Sequence, residues 1–555
     1  MATPDVASQP GAARERALLV ALVLGVLAWL GDKAFTVDDP LFLWIAEQVH
    51  ADPLDPLGGS VVWNATRLRM FDINQNPPLV GYLIAAAAGL FGFGERALHA
   101  VFLLPAGLAT AAIHALAGRF TGRPGEATLL AVATPAFLVS LSNVMVESWL
   151  LACWTGSLLL WVRGFDRRSD ALLLGGAALA GLAFLTKFAA LALLPLLFVY
   201  GAARERRPGR WCLYLLVPLA TIAAYDAVTA WLYGTGHFSS TLRFARAFGA
   251  GDEGVRLGRV AVGLAFTGGC LLPALLYAPL LWSARVCLAA LGLAAAGLVA
   301  WPALGGALGI DFPGAGADAR WLLPAHLLLF ALGGASAVAV ALTDLWRRRD
   351  ADGLLLAAWL LGMFVFAALA NWVVNGRSIL LMAPACAILL VRRLEAKQAP
   401  PRAALRGVAL VVSVLLAVAV AVADHRWAGD VRASAGLLAR RHVGAGHDTF
   451  FLGNWGLQWY LEKAGALAVD DRRWPGRGDR LIVSSHNTDR RAPPPALARE
   501  LDTLDGEALG LRTLAPGVAG FYASPLGPLP WAWAPARDRY TVWELLAPVR
   551  FGPSW

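Results

Sequence analysis

"PPLVGYLIAAAAGLFGFGE", residues 77 to 95, is the stretch on which the topology of this chain turns. It is apolar enough to be counted as a membrane span, yet it starts Pro-Pro and ends in a Gly-rich turn with Glu95 followed by Arg96. A helix that crosses a bilayer needs about 20 consecutive apolar residues. This stretch is short by that measure, and both its ends carry turn chemistry. Whether it crosses decides on which side of a membrane every later loop lies.

That a membrane is involved follows from the composition. Of 555 residues, 58% are hydrophobic and 15% charged, and mean hydropathy is +0.59; a soluble domain carries roughly a quarter charged residues. At the length a bilayer demands, about fourteen apolar segments can be counted: 16–35, 78–94, 96–118, 125–143, 148–163, 170–186, 188–203, 211–234, 258–282, 284–308, 320–344, 353–374, 377–392 and 405–424. The first, "RALLVALVLGVLAWLGDKAF", follows Arg14 and Arg16 as a signal peptide would. "GDKAF" is nevertheless a poor small-residue cleavage site, so the segment reads as a retained span.

Basic loops then test which segments cross. "GRFTGRPGE" (118–126), "RGFDRRSD" (163–170), "ARERRPGRW" (203–211), "RRRDAD" (347–352) and "RRLEAKQAPPRAALR" (392–406) should all face the cytoplasm with Arg14 and Arg16. They do so only if one early segment fails to cross, and 77–95 is that segment, a juxtamembrane or re-entrant helix packed against protein. The reading is a polytopic α-helical membrane protein with about thirteen transmembrane helices and a cytoplasmic N-terminus, placed in the inner (plasma) membrane. Residues 1–424 form the membrane domain, with a first exterior loop 36–95, and residues 425–555 form a small extracytoplasmic α/β domain. In that tail "DTFFLG" (448–453) and "RLIVSS" (480–485) read as buried strands, while "GLLARRHV" (436–443), "LQWYLEKAGA" (457–466) and "PPPALARELDTL" (493–504) read as helices.

Several function classes drop out. The net charge of +9 resides in short Arg clusters between apolar segments, so nucleic acid is not an expected partner. Five cysteines lie inside apolar segments without CxxC spacing, and nine histidines show no HExxH or related pattern. Neither a disulfide framework nor a tightly held metal is expected. The tail has no Gly-rich phosphate loop, and "NAT" (64–66) matches a glycosylation acceptor too short to weigh much.

What the topology gathers on the exterior face is more informative. "DDPLFLWIAEQV" (38–49) puts Asp39 at an N-cap with Pro40 at N1, opening a helix with a mostly apolar face. Glu147 stands where the third span emerges, Lys187 interrupts "LAFLTKFAALALLPL", and Asp226 lies within a span about two turns from its outer end. "NWVVNGRSILLMAP" (371–384) brings Asn371, Asn375 and Arg377 to an exterior turn. Each has a structural explanation of its own: helix caps for Asp39 and Glu147, a snorkelling Lys187, a helix-end anchor for Arg377. An acid inside a span costs several kcal/mol unless partnered, which makes Asp226 a functional suspect. Together they are the groups that a site for a lipid-borne anion requires. A carboxylate removes a proton from an acceptor hydroxyl, and Lys or Arg neutralises a phosphate leaving group. Glycosyl transfer from a polyprenyl-phosphate sugar uses both.

The series "DDPLFLWIAEQV", "NQNPPLVGYLIAAAAGLFGFGE", "TPAFLVSLSNVMVESWLLACW", "LAFLTKFAALALLPLLFVY" and "NWVVNGRSILLMAPACAILLVRRLE" resembles the GT-C glycosyltransferases. Within them it is similar to the protein mannosyltransferase and aminoarabinose transferase group, glycosyltransferase family 39 and its bacterial relatives. The resemblance runs over most of residues 16 to 395 and implies a GT-C fold. It implies Asp38 as the base that activates the acceptor, Asp39 as its helper or a helix cap, and Glu147, usually Asp in the family, as the acid that orients acceptor or sugar. The family's Pro-Pro element is often closely preceded by Lys; here Gln75 and Asn76 stand there, leaving Lys187, Arg377 and Arg67 or Arg69 to supply charge. No cofactor or metal is implied beyond the lipid-linked sugar donor. The acceptor is an extracytoplasmic glycan, lipid or protein. The alternatives from other classes are a transporter or flippase of a lipid-linked or small solute, whose polar groups should sit near the bilayer midplane, and an inactive GT-C-like scaffold.

Overall fold

The computed structural model describes residues 10–248, 253–313, 319–399, 402–444, 446–508, 510–535 and 537–552. Residues 249–252, between the apolar segments 211–234 and 258–282, and residues 314–318, between 284–308 and 320–344, lie outside the described residues.

The segment that set the topology forms a helix at Leu79–Phe91, only 13 residues long. It rises about 20 Å, against a hydrocarbon core of about 30 Å. It packs instead on the helix Asp39–Ala51, so closely that a Cβ on Gly81 would come within 2.3 Å of the Ile45 side chain. Between the two helices a hairpin pairs Ser60–Trp63 with Thr66–Arg69. Its two-residue turn, Asn64 at φ 51° and Ala65 at φ 59°, has the left-handed pair that tight hairpins demand. "NAT" is thus a turn, and the Asn64 amide oxygen accepts from Asn454 of the tail at 2.8 Å.

By length and composition six helices of the described residues suffice to cross a bilayer: Glu95–Phe120, Phe188–Glu205, Trp211–Tyr233, Leu322–Arg348, Ala351–Ala370 and Ala403–His442. Two bent pairs, 124–132 with 135–141 at 63° and 284–299 with 301–308 at 86°, raise the number to eight if each is one span. The other expected spans fall on helices that are shorter, bent or more charged than this measure admits. Apolar content was legible, but continuity was not: Pro135 and Pro302 stand just past breaks, Asp170–Thr186 has 17 residues, and the first helix carries Arg14, Glu15 and Arg16 in its opening turns. The bundle is drawn together by small residues. Gly176 of one helix faces Ser157 and Trp161 of the next, where a Cβ would meet backbone at 3.0 Å, and Gly334 approaches the Leu264 backbone in the same way. Such contacts replace the hydrophobic drive that lipid cannot supply.

One helix, Ala403–His442, runs 40 residues without a break past residue 424. Its first half shows Leu405, Val408 and Leu415 on the surface; its second half buries Val431, Ala435 and Leu438 under the tail. The tail sheet has five strands in the order Leu467–Ala468, Thr449–Phe451, Arg480–Ser484, Arg539–Leu545, Ala498–Asp505, parallel at the first two junctions and antiparallel at the last two. The strands read from "DTFFLG" and "RLIVSS" are there, as is the helix Trp455–Lys463. "PPPALARELDTL" is corrected: residues 498–505 are an edge strand, not a helix. Its Arg499 pairs across to Glu544, and Asp505 to Arg539, contacts that local helix preference cannot foresee.

A fully buried polar cluster ties the ends of the chain together. Lys33 donates to Asp424 and to Asn143, each at 2.5 Å. Asp424 also accepts from Thr513 at 2.5 Å and from Tyr522 at 2.7 Å. Sequence reading passed over Lys33 and Asp424, although each is an ionisable group at the end of an apolar run.

Candidate active site

A cavity of about 710 Å³ opens where the turn before Asp39–Ala51, the start of Glu147–Arg167, the junction at Lys187 and the turn before Arg377 meet. Its charged lining among the described residues is Asp38, Glu147, Lys187 and Arg377.

The turn that delivers Asp38 is strained. Val37 has φ 46°, a left-handed conformation that a β-branched residue rarely adopts. Asp39 holds it there. Its carboxylate accepts from Thr36 N at 2.8 Å and from Val144 N at 2.9 Å, and the side chain is 0% exposed. The helix starts one residue earlier than expected, with Asp38 at the N-cap position making no side-chain cap bond. Asp39 therefore fastens the turn to the backbone beside Glu147 and does not line the cavity. Its burial pushes the carboxyl up to about 7 despite the Lys33 charge and the two N–H donors.

Asp38, 24% exposed, reaches Arg377 Nη1 at 2.8 Å. Glu147, 1% exposed, accepts from Lys187 Nζ at 2.8 Å through Oε1, and the same oxygen lies 4.0 Å from Arg377 Nε. Both carboxylates thus converge on one guanidinium, in a cluster of two acids and two bases with no net formal charge. Glu147 Oε2 is buried with no hydrogen-bond partner among the described residues. Lys187 sits in extended backbone where Asp170–Thr186 gives way to the 3₁₀ turn Phe188–Ala192, so a broken helix presents the ammonium. Arg377 opens the short helix Gly376–Leu380, whose N-cap is Asn375: its side chain accepts from Ser378 N at 2.8 Å.

Gln75 and Asn76 line the cavity as well. Gln75 accepts from Thr241 at 2.7 Å, and Asn76 donates to Asn74 at 3.2 Å. Asp226 is not brought in: its carboxylate accepts from Ser239 N at 3.0 Å and from the Ser239 hydroxyl at 2.6 Å, closing the turn into the helix His237–Phe248. Arg67 and Arg69 are also elsewhere, paired with Asp470 at 3.0 Å and Asp72 at 3.1 Å.

The apolar wall was not anticipated. Phe238, Thr241, Leu242 and Ala245 face the cavity from His237–Phe248 at helical spacing, a signal present in "HFSSTLRFARAF". Phe188 and Leu191 join them, and the Phe244 ring meets Trp372 edge-on at 5.0 Å. The tail adds Trp455, Tyr522, Ala523 and Leu526. No local pattern could have assigned these last four, because chain separation hides the contact.

The family described as dolichyl-phosphate-mannose-protein mannosyltransferase matches residues 75–231. The resemblance to that group holds over this stretch, which carries Glu147 and Lys187. Among solved structures, the chain is similar to ArnT from Cupriavidus metallidurans bound to undecaprenyl phosphate, at 17% identity and TM-score 0.45, covering 84% of this chain and 93% of that one. It is also similar to the Archaeoglobus fulgidus oligosaccharyltransferase in the apo form, at 14% identity and TM-score 0.47, covering 82% of this chain and 64% of that one. No curated protein matches the chain.

Proposed function

We propose that this protein is a membrane glycosyltransferase that moves a sugar from a polyprenyl-phosphate donor to an acceptor hydroxyl on the exterior face, with inversion. The observation that carries the reading is the convergence of Asp38 and Glu147 on Arg377 and Lys187 inside one cavity. The family match over 75–231 supports a lipid-phosphate sugar as donor.

In this reading the isoprenoid lies along Phe188, Leu191, Phe238 and Leu242, and its phosphate is held by Lys187 and Arg377. Asp38 takes the proton of the acceptor hydroxyl as the oxygen bonds to the anomeric carbon. The bond from that carbon to the phosphate oxygen breaks, and the polyprenyl phosphate leaves with its charge balanced by the two cations. Glu147 fixes Lys187 and keeps one oxygen open for a sugar or acceptor hydroxyl. Much of the acceleration comes from holding acceptor and donor in line. The test is Asp38→Asn with a synthetic polyprenyl-phosphate sugar. Removing a general base should lower transfer by about 100-fold or more, with the melting temperature kept. Near-normal turnover would refute the assignment, and solute movement without donor cleavage would favour a transporter.

A further inference from the structure

The tail does more than cover the cavity. At residues 521–524 it is stitched to the loop that carries Arg377. Gly376 N donates to Phe521 O at 2.7 Å, Ser524 N to Val374 O at 2.9 Å, and Val374 N to the Ser524 hydroxyl at 3.3 Å. The fit leaves no slack, since a Cβ on Gly376 would come 2.4 Å from the Phe521 ring. Between these stitches Tyr522 places its ring under the Arg377 guanidinium, 5.7 Å from centroid to Cζ. Its hydroxyl donates to Asp424 at 2.7 Å and accepts from Asn143 at 3.2 Å, which joins the residue to the buried Lys33–Asp424 cluster, while the backbone bonds on either side, at Phe521 and Ser524, set the place of the ring independently of that hydroxyl.

We propose that Tyr522 is a positioning residue: its aromatic face, supplied by the C-terminal tail, sets the Arg377 guanidinium for the donor phosphate. This deepens the glycosyltransferase reading and rests on it. Arg377 faces two carboxylates, Asp38 at 2.8 Å and Glu147 at 4.0 Å, and incoming phosphate must share it with both. A π-face beneath the guanidinium holds its plane through that exchange without adding a charge that competes for it.

The experiment measures binding of undecaprenyl phosphate to the full-length protein in detergent, for Tyr522→Phe, Tyr522→Met and each change combined with Arg377→Ala. Tyr522→Phe keeps the ring and should bind within threefold of the unaltered protein. Tyr522→Met keeps much of the volume without the π-face and should bind about tenfold more weakly. In the Arg377→Ala background the Met change should have no further effect, a non-additivity that mere loss of folding stability would not give. Unchanged affinity in the Met variant, or a tenfold loss in the Phe variant, would overturn the role of the ring. If the Met variant does not fold, the Phe variant alone still puts the proposal at risk. Failure of the unaltered protein to bind the lipid phosphate would instead strike the donor assignment, which separates the two claims.

Discussion

Asp38 and Asp39 are adjacent in sequence and opposite in circumstance. One pairs with a cation at a cavity wall; the other is sealed in and holds two backbone N–H groups. Their presence was legible because two adjacent carboxylates open a mostly apolar helix directly after the first apolar segment. Their division of labour was not, because it depends on a turn in which Val37 takes a left-handed backbone. Burial of Asp39 has a measurable sign. With its folded pKa raised to about 7, the native state holds a proton that the unfolded chain gives up above about pH 4. The carboxyl's contribution to stability is therefore complete below that pH and lost as pH rises through 7. Melting curves at pH 5 and pH 8 should show the stability gap between the unaltered protein and Asp39→Asn narrowing as pH rises; a gap that widens contradicts the buried protonated acid.

At the scale of elements, the site depends on a helix from the tail landing on the turn before Asp38. Trp455, at φ 69°, opens Trp455–Lys463, and Gly456 lies against the backbone of Phe35, where a Cβ would meet the carbonyl oxygen at 2.2 Å. Gly456→Ala must push these elements apart. We expect a loss of about 1–3 kcal/mol, the usual cost of overpacking, read by denaturant unfolding, with transfer falling because the Asp38 turn shifts. Full activity in this variant would show that the turn does not need its tail support. Element by element, the sequence was readable where a segment's own pattern decides, as in the short helix Leu79–Phe91 and the strand at 480–484. It misled where a distant partner decides, as at 498–505, whose strand exists because Arg539–Leu545 is there to pair with it.

Across the whole molecule, Lys33 and Asp424 join the beginning of the chain to its last long helix, and Thr513 and Tyr522 bring in the tail. Breaking a buried ion pair from one side leaves a charge without compensation. Asp424→Asn should destabilise the protein by about 3–5 kcal/mol. Replacing both partners, Lys33→Met with Asp424→Leu, should recover part of that loss. Unfolding measurements on the three proteins check it, and an Asp424→Asn variant as stable as the original would remove the cluster from the account. The gross design, an apolar helical bundle with an α/β tail, was legible from composition and charge. Which helices are unbroken, and how the tail enters the cavity, was not, since both depend on packing between segments hundreds of residues apart.

The unbroken helix Ala403–His442 couples the apolar bundle directly to the tail, with its first half exposed at Leu405, Val408 and Leu415 and its second half buried at Val431, Ala435 and Leu438. A rigid rod with one half among lipids and the other under the sheet converts tilt into displacement. Over the roughly 30 Å of its outer half, a tilt change of about 10° swings the far end by about 5 Å.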